Sequence, residues 1–432
     1  MIKRYWRLAL FVGAIPAGAQ AQNTGAVSLT QLQDMAIQRD PRLRQVDLLA
    51  AQSALRLRNI AVENLPSLSV NAQSQYQSTV ATIPVALPGI TIPRPPHDTY
   101  DASVSLRQRL FDPALRERRR IESAQLDESR ARVRSAVFGL RQSVADAYFS
   151  ALDLQLQQSE LEAVIADLEA QHKVAVLRLN EGAALPSEAR ILEAEMMRRR
   201  QMVRQLEASA GAARDILADL TGVELPAAAL VPMPDDGARV AEARGRLSTL
   251  RSRPEFSSFE AQKEVIERQR SALAARELPR ISAFARGGYG RPGLNPLASD
   301  FDSYWIGGIQ LEWNPWSWGS GDRDRQVLSL QQQIVDSEQS AFARTIERAV
   351  IRDIADIDRL EASLEDDARI IEARESILRE TRARFREGVI TSAEYVDRQT
   401  DLLTARLALL SHRVELAEAR ARFLTTLGLE AQ

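Results

Sequence analysis

Three histidines, His97, His172 and His412, are the only imidazoles in the chain, and their separations match no metal-ligand spacing. There is no cysteine, which excludes disulfides, thiolate metal sites, cysteine nucleophiles and a lipid-modified N-terminal cysteine. With 26% of residues charged, no Ser-His-Asp set or paired carboxylates rise above the background. GYGRPG (Gly288–Gly293) has the letters of a dinucleotide fingerprint. Pro292 and the following Leu-Asn-Pro forbid the helix whose N-terminus would hold a pyrophosphate, so the stretch reads as a hairpin loop. The basic runs Arg116–Arg120 and 198–200 read as solvated helix faces or intersubunit ion pairs, and a ring near Arg116 could also meet anionic headgroups. Glu394 and Asp397, three apart on a helical pattern, read by spacing alone as a solvated face. The sequence therefore gives an enzyme no site, metal or cofactor, and a net charge of −2 calls for no nucleic acid.

What the residues do specify is architecture. Lys3, Arg4 and Arg7, the apolar run Leu8–Ile15 and Ala19-Gln20-Ala21 make an export signal, with cleavage expected after Ala21. No later segment has the ~20 consecutive apolar residues of a spanning helix. Ile357, Leu364, Ile371, Leu378 and Phe385 recur every seven residues, and so do Tyr395, Leu402, Leu409, Leu416 and Phe423. That period marks long helices packed in a supercoiled layer. The pattern from Asp322 to Glu387 predicts a helix roughly 100 Å long at 1.5 Å per residue. Between the rhythms stands GVITSAEY, whose Gly388 is placed to end one helix and Ser392 to cap the next. Gly182, Pro186 and Ser187 form a matching turn.

The chain is written twice. Asp40-Pro41 and Leu65-Pro66 recur 213 residues on as Arg253-Pro254 and Leu278-Pro279, while Gly182 and Gly222 recur 206 residues on as Gly388 and Gly428. This gives a signal segment 1–21, a first repeat 22–222, a linker 223–253 and a second repeat 254–432. Each repeat holds a short helix, two strands and a long helical hairpin. In the strands, Leu68, Val70 and Ala72, and Tyr100, Ala102, Val104 and Leu106, alternate with polar residues. Ile281, Ala283 and Ala285 are answered by Trp305, Ile309 and Leu311, and Phe284 interrupts the alternation. Four half-apolar strands cannot close a barrel, and a lipid-facing sheet tolerates no open edge. Two copies would supply eight strands and three would supply twelve, around water.

These features resemble the TolC-type outer-membrane factors. The resemblance is carried by LTQLQDMAIQRDPRL with LPSLSV, LRQRLFDPALRER, the GVITSAEY turn and the terminal AEARARFLTTLGLE. It implies a mainly α protein with a small β part. Four strands per protomer would enter a shared trimeric 12-stranded β-barrel, and long coiled-coil helices would form a periplasmic α-barrel. The implied role is the passive exit duct of a tripartite efflux or type I secretion system in a Gram-negative outer membrane. Its implied partners are two further copies, outer-membrane lipid, a periplasmic adaptor and an ABC or RND-type inner-membrane transporter. By position from the glycine, Glu394, Asp397 and Glu188 match the family's constriction carboxylates. Gly182, Ala183, Gly388 and Val389 match the tips where an adaptor docks. Ile390 stands where members with a tip latch can carry arginine. Trp305, Trp313, Trp316, Trp318 and Phe111 fit an interfacial aromatic girdle. A soluble periplasmic coiled-coil adaptor or scaffold shares the export signal and heptads, but has no use for duplicated wet-and-oily strands.

Overall fold

The computed structural model describes residues 28–81, 94–224, 233–245 and 252–429. The expected signal segment, most of the proline-rich stretch and part of the 223–253 linker lie outside the described residues.

The described chain begins with α1 (Leu29–Arg39), which the sequence reading had not separated as a helix. Its start is a reciprocal capping box. Ser28 Oγ accepts from the Gln31 amide at 3.3 Å, and Gln31 Oε1 accepts from the Ser28 amide at 3.1 Å. Asp40 then caps α2 (Pro41–Val62), with Pro41 at the first helical position, where a missing N–H costs nothing. Strands β1 (Ser67–Tyr76) and β2 (Asp98–Phe111) follow. Helices α3 (Pro113–Phe138) and α4 (Leu140–Asn180) are separated only by Gly139, which keeps right-handed angles. Next come α5 (Pro186–Thr221), the short α6 (Gly237–Arg244) and α7 (Pro254–Arg276). Strands β3 (Arg280–Arg291) and β4 (Asp302–Glu312) lead into α8 (Ser320–Glu387) and α9 (Ser392–Leu427). The 68 residues of α8 extend roughly 100 Å, and no helix of the described residues is long and apolar enough to cross a membrane.

The four strands form one antiparallel sheet in the order β1-β2-β3-β4. Its register sorts the side chains onto two faces. Leu68, Leu106, Ala285 and Gly307 make one cross-strand row, and Val70, Val104, Gly287 and Trp305 the next. On the opposite face Asn71, Ser103, Gly288 and Tyr304 align. There Asp101 accepts from Arg286 at 2.5 Å, from Ser103 at 3.1 Å, and from the Tyr304 hydroxyl. Phe284, which interrupts the alternation, lies on this wet face over Gly308. A Cβ at Gly308 would come within 3.2 Å of the Phe284 ring. Of GYGRPG, Gly288–Arg291 belong to β3, so the loop begins only at Pro292; the cross-strand pairing of Gly288 and Gly290 draws them into the sheet. The oily face is bare: Val70 is 75% exposed, Ile309 72% and Trp305 80%. Among the described residues the outer edges of β1 and β4 have no strand beside them.

The helices are held by the seven-residue seams. Ile357, Leu378, Phe385, Tyr395, Leu402, Leu416 and Phe423 are buried, and Leu364, Ile371 and Leu409 are half-buried. Ala189, Met196, Ala210 and Leu217 occupy the equivalent buried positions on α5. Around the turns, residues of α4, α5, α8 and α9 share one core that includes Leu168, Leu192, Leu378 and Tyr395. Its Phe385 and Tyr395 rings stack at 5.2 Å.

Candidate functional site

The two helical turns come together at one end of the molecule. Gly182 and Gly388 both adopt left-handed angles (φ 72° and 79°), which a side chain would resist. Each turn closes the same way. The Ala183 amide donates to the Arg178 carbonyl at 2.8 Å, and the Val389 amide to the Arg384 carbonyl at 2.9 Å. The caps differ from the sequence expectation. Thr391, not Ser392, caps α9, its hydroxyl accepting from the Glu394 amide at 3.2 Å, while Ser392 is fully buried. Helix α5 starts at Pro186 with no side-chain cap, and Ser187 lies inside its first turn, because proline's fixed φ suits the first helical position.

Two charged side chains of the first turn reach into the second. Arg178 Nη1 donates to the Phe385 carbonyl at 2.9 Å, and its Nη2 donates to the Ala183 carbonyl at 3.3 Å. One cation thus serves the carboxyl ends of both α4 and α8, where helix dipoles concentrate negative charge. Glu188 accepts from the Ser392 amide at the start of α9, while itself standing in the first turn of α5. One anion thus serves two positive helix ends. A side chain at Gly388 would collide with the Arg178 guanidinium.

Deeper in, Asp167 of α4 binds both helices of the second hairpin. It accepts from Arg382 at 2.8 Å, from the Tyr395 hydroxyl at 2.5 Å and from Gln399 at 2.7 Å. Burial, reinforced by the Asp167 carboxylate, pushes the Tyr395 hydroxyl well above the usual phenol range, so it remains a donor. Arg199, in a run expected to face solvent or to pair between subunits, is buried within the chain; it pairs with Glu195 at 2.6 Å and donates to Thr400 at 2.8 Å. Burial lowers its pKa. Arg178, Asp167 and Arg199 escaped sequence reading because their partners in the second hairpin lie 201 to 232 residues away.

Glu394 and Asp397 lie on the exposed side of α9, and neither carboxylate has a partner among the described residues. Glu188, grouped with them from sequence, is brought to the same end but is engaged by the Ser392 amide. Gly182, Ala183, Gly388 and Val389 are all exposed at the turns, Val389 by 67%. The aromatics stand at the other end. Trp305 projects from within β4, Phe111 ends β2, and Trp313, Trp316 and Trp318 lie between β4 and α8. Trp313 Nε1 donates to the Glu277 carbonyl at 3.1 Å, which ties that segment to the end of α7. Of the basic run near Arg116, Arg118 closes on Glu63 at 2.6 Å and Arg120 on Glu117 at 2.7 Å. Among the described residues no group of His, Asp and Glu is placed to hold a metal ion.

Residues 247–429 match the family model described as outer membrane efflux protein. No curated protein sequence gives a match. Among solved structures, the outer-membrane channel OprN is 18% identical, covering 93% of this chain and 89% of its own, with a TM-score of 0.65. The outer membrane protein VceC of Vibrio cholerae is 15% identical over 94% of this chain and 97% of its own, with a TM-score of 0.67. The MtrE outer membrane channel of Neisseria gonorrhoeae, solved in an open state, is 19% identical over 93% and 89%, with a TM-score of 0.64. Residues 247–429 match the outer membrane efflux protein family model, and the chain as a whole shares its fold with the solved structures of OprN, VceC and MtrE.

Proposed function

We propose that three copies of this chain form an outer-membrane duct that conducts substrate passively from a periplasmic adaptor and an inner-membrane transporter, of ABC or RND type, to the outside. The observation that carries this reading is the sheet: one oily face, one wet face and two unpaired edges. In hydrocarbon each unsatisfied backbone group costs several kcal/mol, so the edges must be closed by other strands. Three sheets of four strands close into twelve around water, with Asn71, Ser103 and Asp101 on the lumen side and Val70, Trp305 and Ile309 toward lipid.

In this reading residues 1–21 are the export signal, and 22–222 and 254–432 are two structural repeats joined by an equatorial linker, 223–253. The paired turns are the periplasmic mouth. Glu394 and Asp397, unpartnered and exposed, contribute six carboxylates per trimer that repel anions and favour cations at rest. Glu188 shapes the mouth by holding the α9 end. The exposed tips at Gly182, Ala183, Gly388 and Val389 receive the adaptor. No chemistry is asked of the chain itself, and cargo is chosen by the transporter.

Fractionation tests the reading. The full-length protein expressed in a Gram-negative host should stay with the outer membrane through a high-salt wash, need detergent for release, and give ion-conducting steps in planar bilayers. Release by salt alone with no conductance would instead identify a soluble periplasmic scaffold.

A further inference from the structure

The contacts between the two hairpins within one chain imply the contacts between chains. Helices α5 and α9 both have 36 residues, and every position on the first hairpin maps 206 residues on to the second. In a ring, the contact of the first hairpin with the second is repeated as the contact of the second with the next copy's first. Each cross-hairpin bond in this structure therefore has an equivalent pair of positions facing a neighbouring copy.

Away from the turns, two of these equivalents retain their chemistry. Arg406 of α9 pairs with Glu375 of its own hairpin at 2.7 Å and with Glu160 of the other hairpin at 3.0 Å. Its equivalent, Arg200, pairs with Glu169 at 2.6 Å, and Glu169 is the equivalent of Glu375. Arg200 has no second acidic partner among the described residues. The equivalent of Glu160 is Asp366, an exposed acid on α8 whose only ion pair among the described residues is a 3.7 Å contact with Arg369. Gln157 donates to Ser411 across the hairpins at 3.3 Å. Their equivalents are Ser363 and Gln205, the same two residue types with sites exchanged.

Near the turns one equivalent is kept and two are stripped. Arg178 has Arg384, with the Leu179 carbonyl as the matching acceptor. Glu188 has Glu394, but the position matching Ser392 is Pro186, which has no amide hydrogen to give. The Asp167 network maps onto Ala373, Val176, Ala189 and Glu193, so its central acid is lost.

We propose that the exposed faces of α5 and α8 are the surfaces on which copies dock, with Arg200 meeting Asp366 of the partner subunit and Gln205 meeting Ser363 of the partner subunit. Pro186 leaves Glu394 of the partner subunit without an amide, free to face the tunnel. The two hairpins of one chain, tied by Asp167 and Glu188 through bonds whose equivalents are lost, then form a fixed pair, and the weaker seam at the mouth lies between copies. This rests on the trimeric duct reading.

The absence of native cysteine makes the seam directly testable. Full-length protein carrying Gln205→Cys and Ser363→Cys is treated in membranes with a short bifunctional thiosulfonate and run on a denaturing gel. Bands of two and three chains are expected, and neither single variant should give three. Gln157→Cys with Ser411→Cys serves as the within-chain control and should stay at one chain. The particle mass in detergent is measured in parallel. Three chains per particle without a 205–363 ladder would overturn the seam assignment; one chain per particle would overturn the trimer beneath it. Charge exchange gives a second readout. Arg200→Glu should lower the temperature at which the detergent-solubilised assembly dissociates, and adding Asp366→Arg should restore it. No shift in the single variant, or no recovery in the double, would contradict the pair.

Discussion

The Glu188 carboxylate accepts a hydrogen bond from the Ser392 amide, 204 residues away, at the point where α9 begins. The contact joins a charge to a helix end across two halves of the chain. A charge-assisted bond of this kind contributes about 1.5–3 kcal/mol. Glu188→Ala should loosen the paired turns and raise resting conductance several-fold in planar bilayers, while Glu188→Gln, which keeps an acceptor, should fall between. Equal conductance in all three proteins would show that this contact does not hold the mouth.

Glu394 and Asp397 are exposed on α9, and neither carboxylate is paired among the described residues; in the proposed duct they would act by charge alone. The double variant Glu394→Gln/Asp397→Asn should lower the cation-over-anion permeability ratio toward unity or raise resting conductance, with no loss of thermal stability. If both electrical quantities stay at parent values, the constriction lies elsewhere.

Tyr395→Phe removes one donor from Asp167 and leaves Arg382 and Gln399 in place. The expected loss is about 1 kcal/mol, read as a lower Tm in detergent. Asp167→Ala leaves the half-buried Arg382 without its counter-charge and should cost about 3 kcal/mol or more. The order of the two variants is the check, and a larger loss in Tyr395→Phe would contradict it.

How much of this was legible follows the range of the interactions. The seven-residue seams predict buried Phe385, Tyr395 and Phe423, and period two predicts the oily row containing Val70 and Trp305, because both patterns are local. The turn glycines declare themselves by type. The cap of α9 was also legible, since Thr391 stands three residues before Glu394 as a capping box requires, although Ser392 drew the expectation. Helix α1 carried the same signal in Ser28 and Gln31. Asp167 looks like any surface acid in sequence. Its role comes from packing α4 against α8 and α9, and no local pattern encodes a partner 228 residues away. Glu188 was grouped with the free carboxylates by position, and only three-dimensional placement separates them.

Burial raises the Glu418 pKa above its usual 4.5, and the carboxylates of Asp146, Glu415 and Asp153 add to the effect against the pull of Arg422. Between 4.5 and the raised folded value the native state binds more protons than the unfolded one, so stability falls as pH rises through that window. Glu418→Gln should therefore raise Tm at about pH 7.5, with the gain vanishing below about pH 4. A gain that persisted unchanged in acid would assign it to packing instead.

Val70 and Ser69 are adjacent residues on opposite faces of β1. Arginine on a lipid face costs about 2–4 kcal/mol at the bilayer midplane, while a lumen face tolerates it. Val70→Arg should reduce the outer-membrane yield sharply. Ser69→Arg should assemble normally with altered conductance. Equal yields would mean the sheet is not embedded as described.

The central claim is that one chain's four strands cannot face lipid unaided and that three chains share a wall around water. Light scattering on the intact, detergent-purified protein, with the detergent contribution subtracted, measures it most directly. The account predicts three chains per particle at every concentration where the protein stays dispersed. A stable particle of one chain that remains soluble when detergent is withdrawn would contradict it.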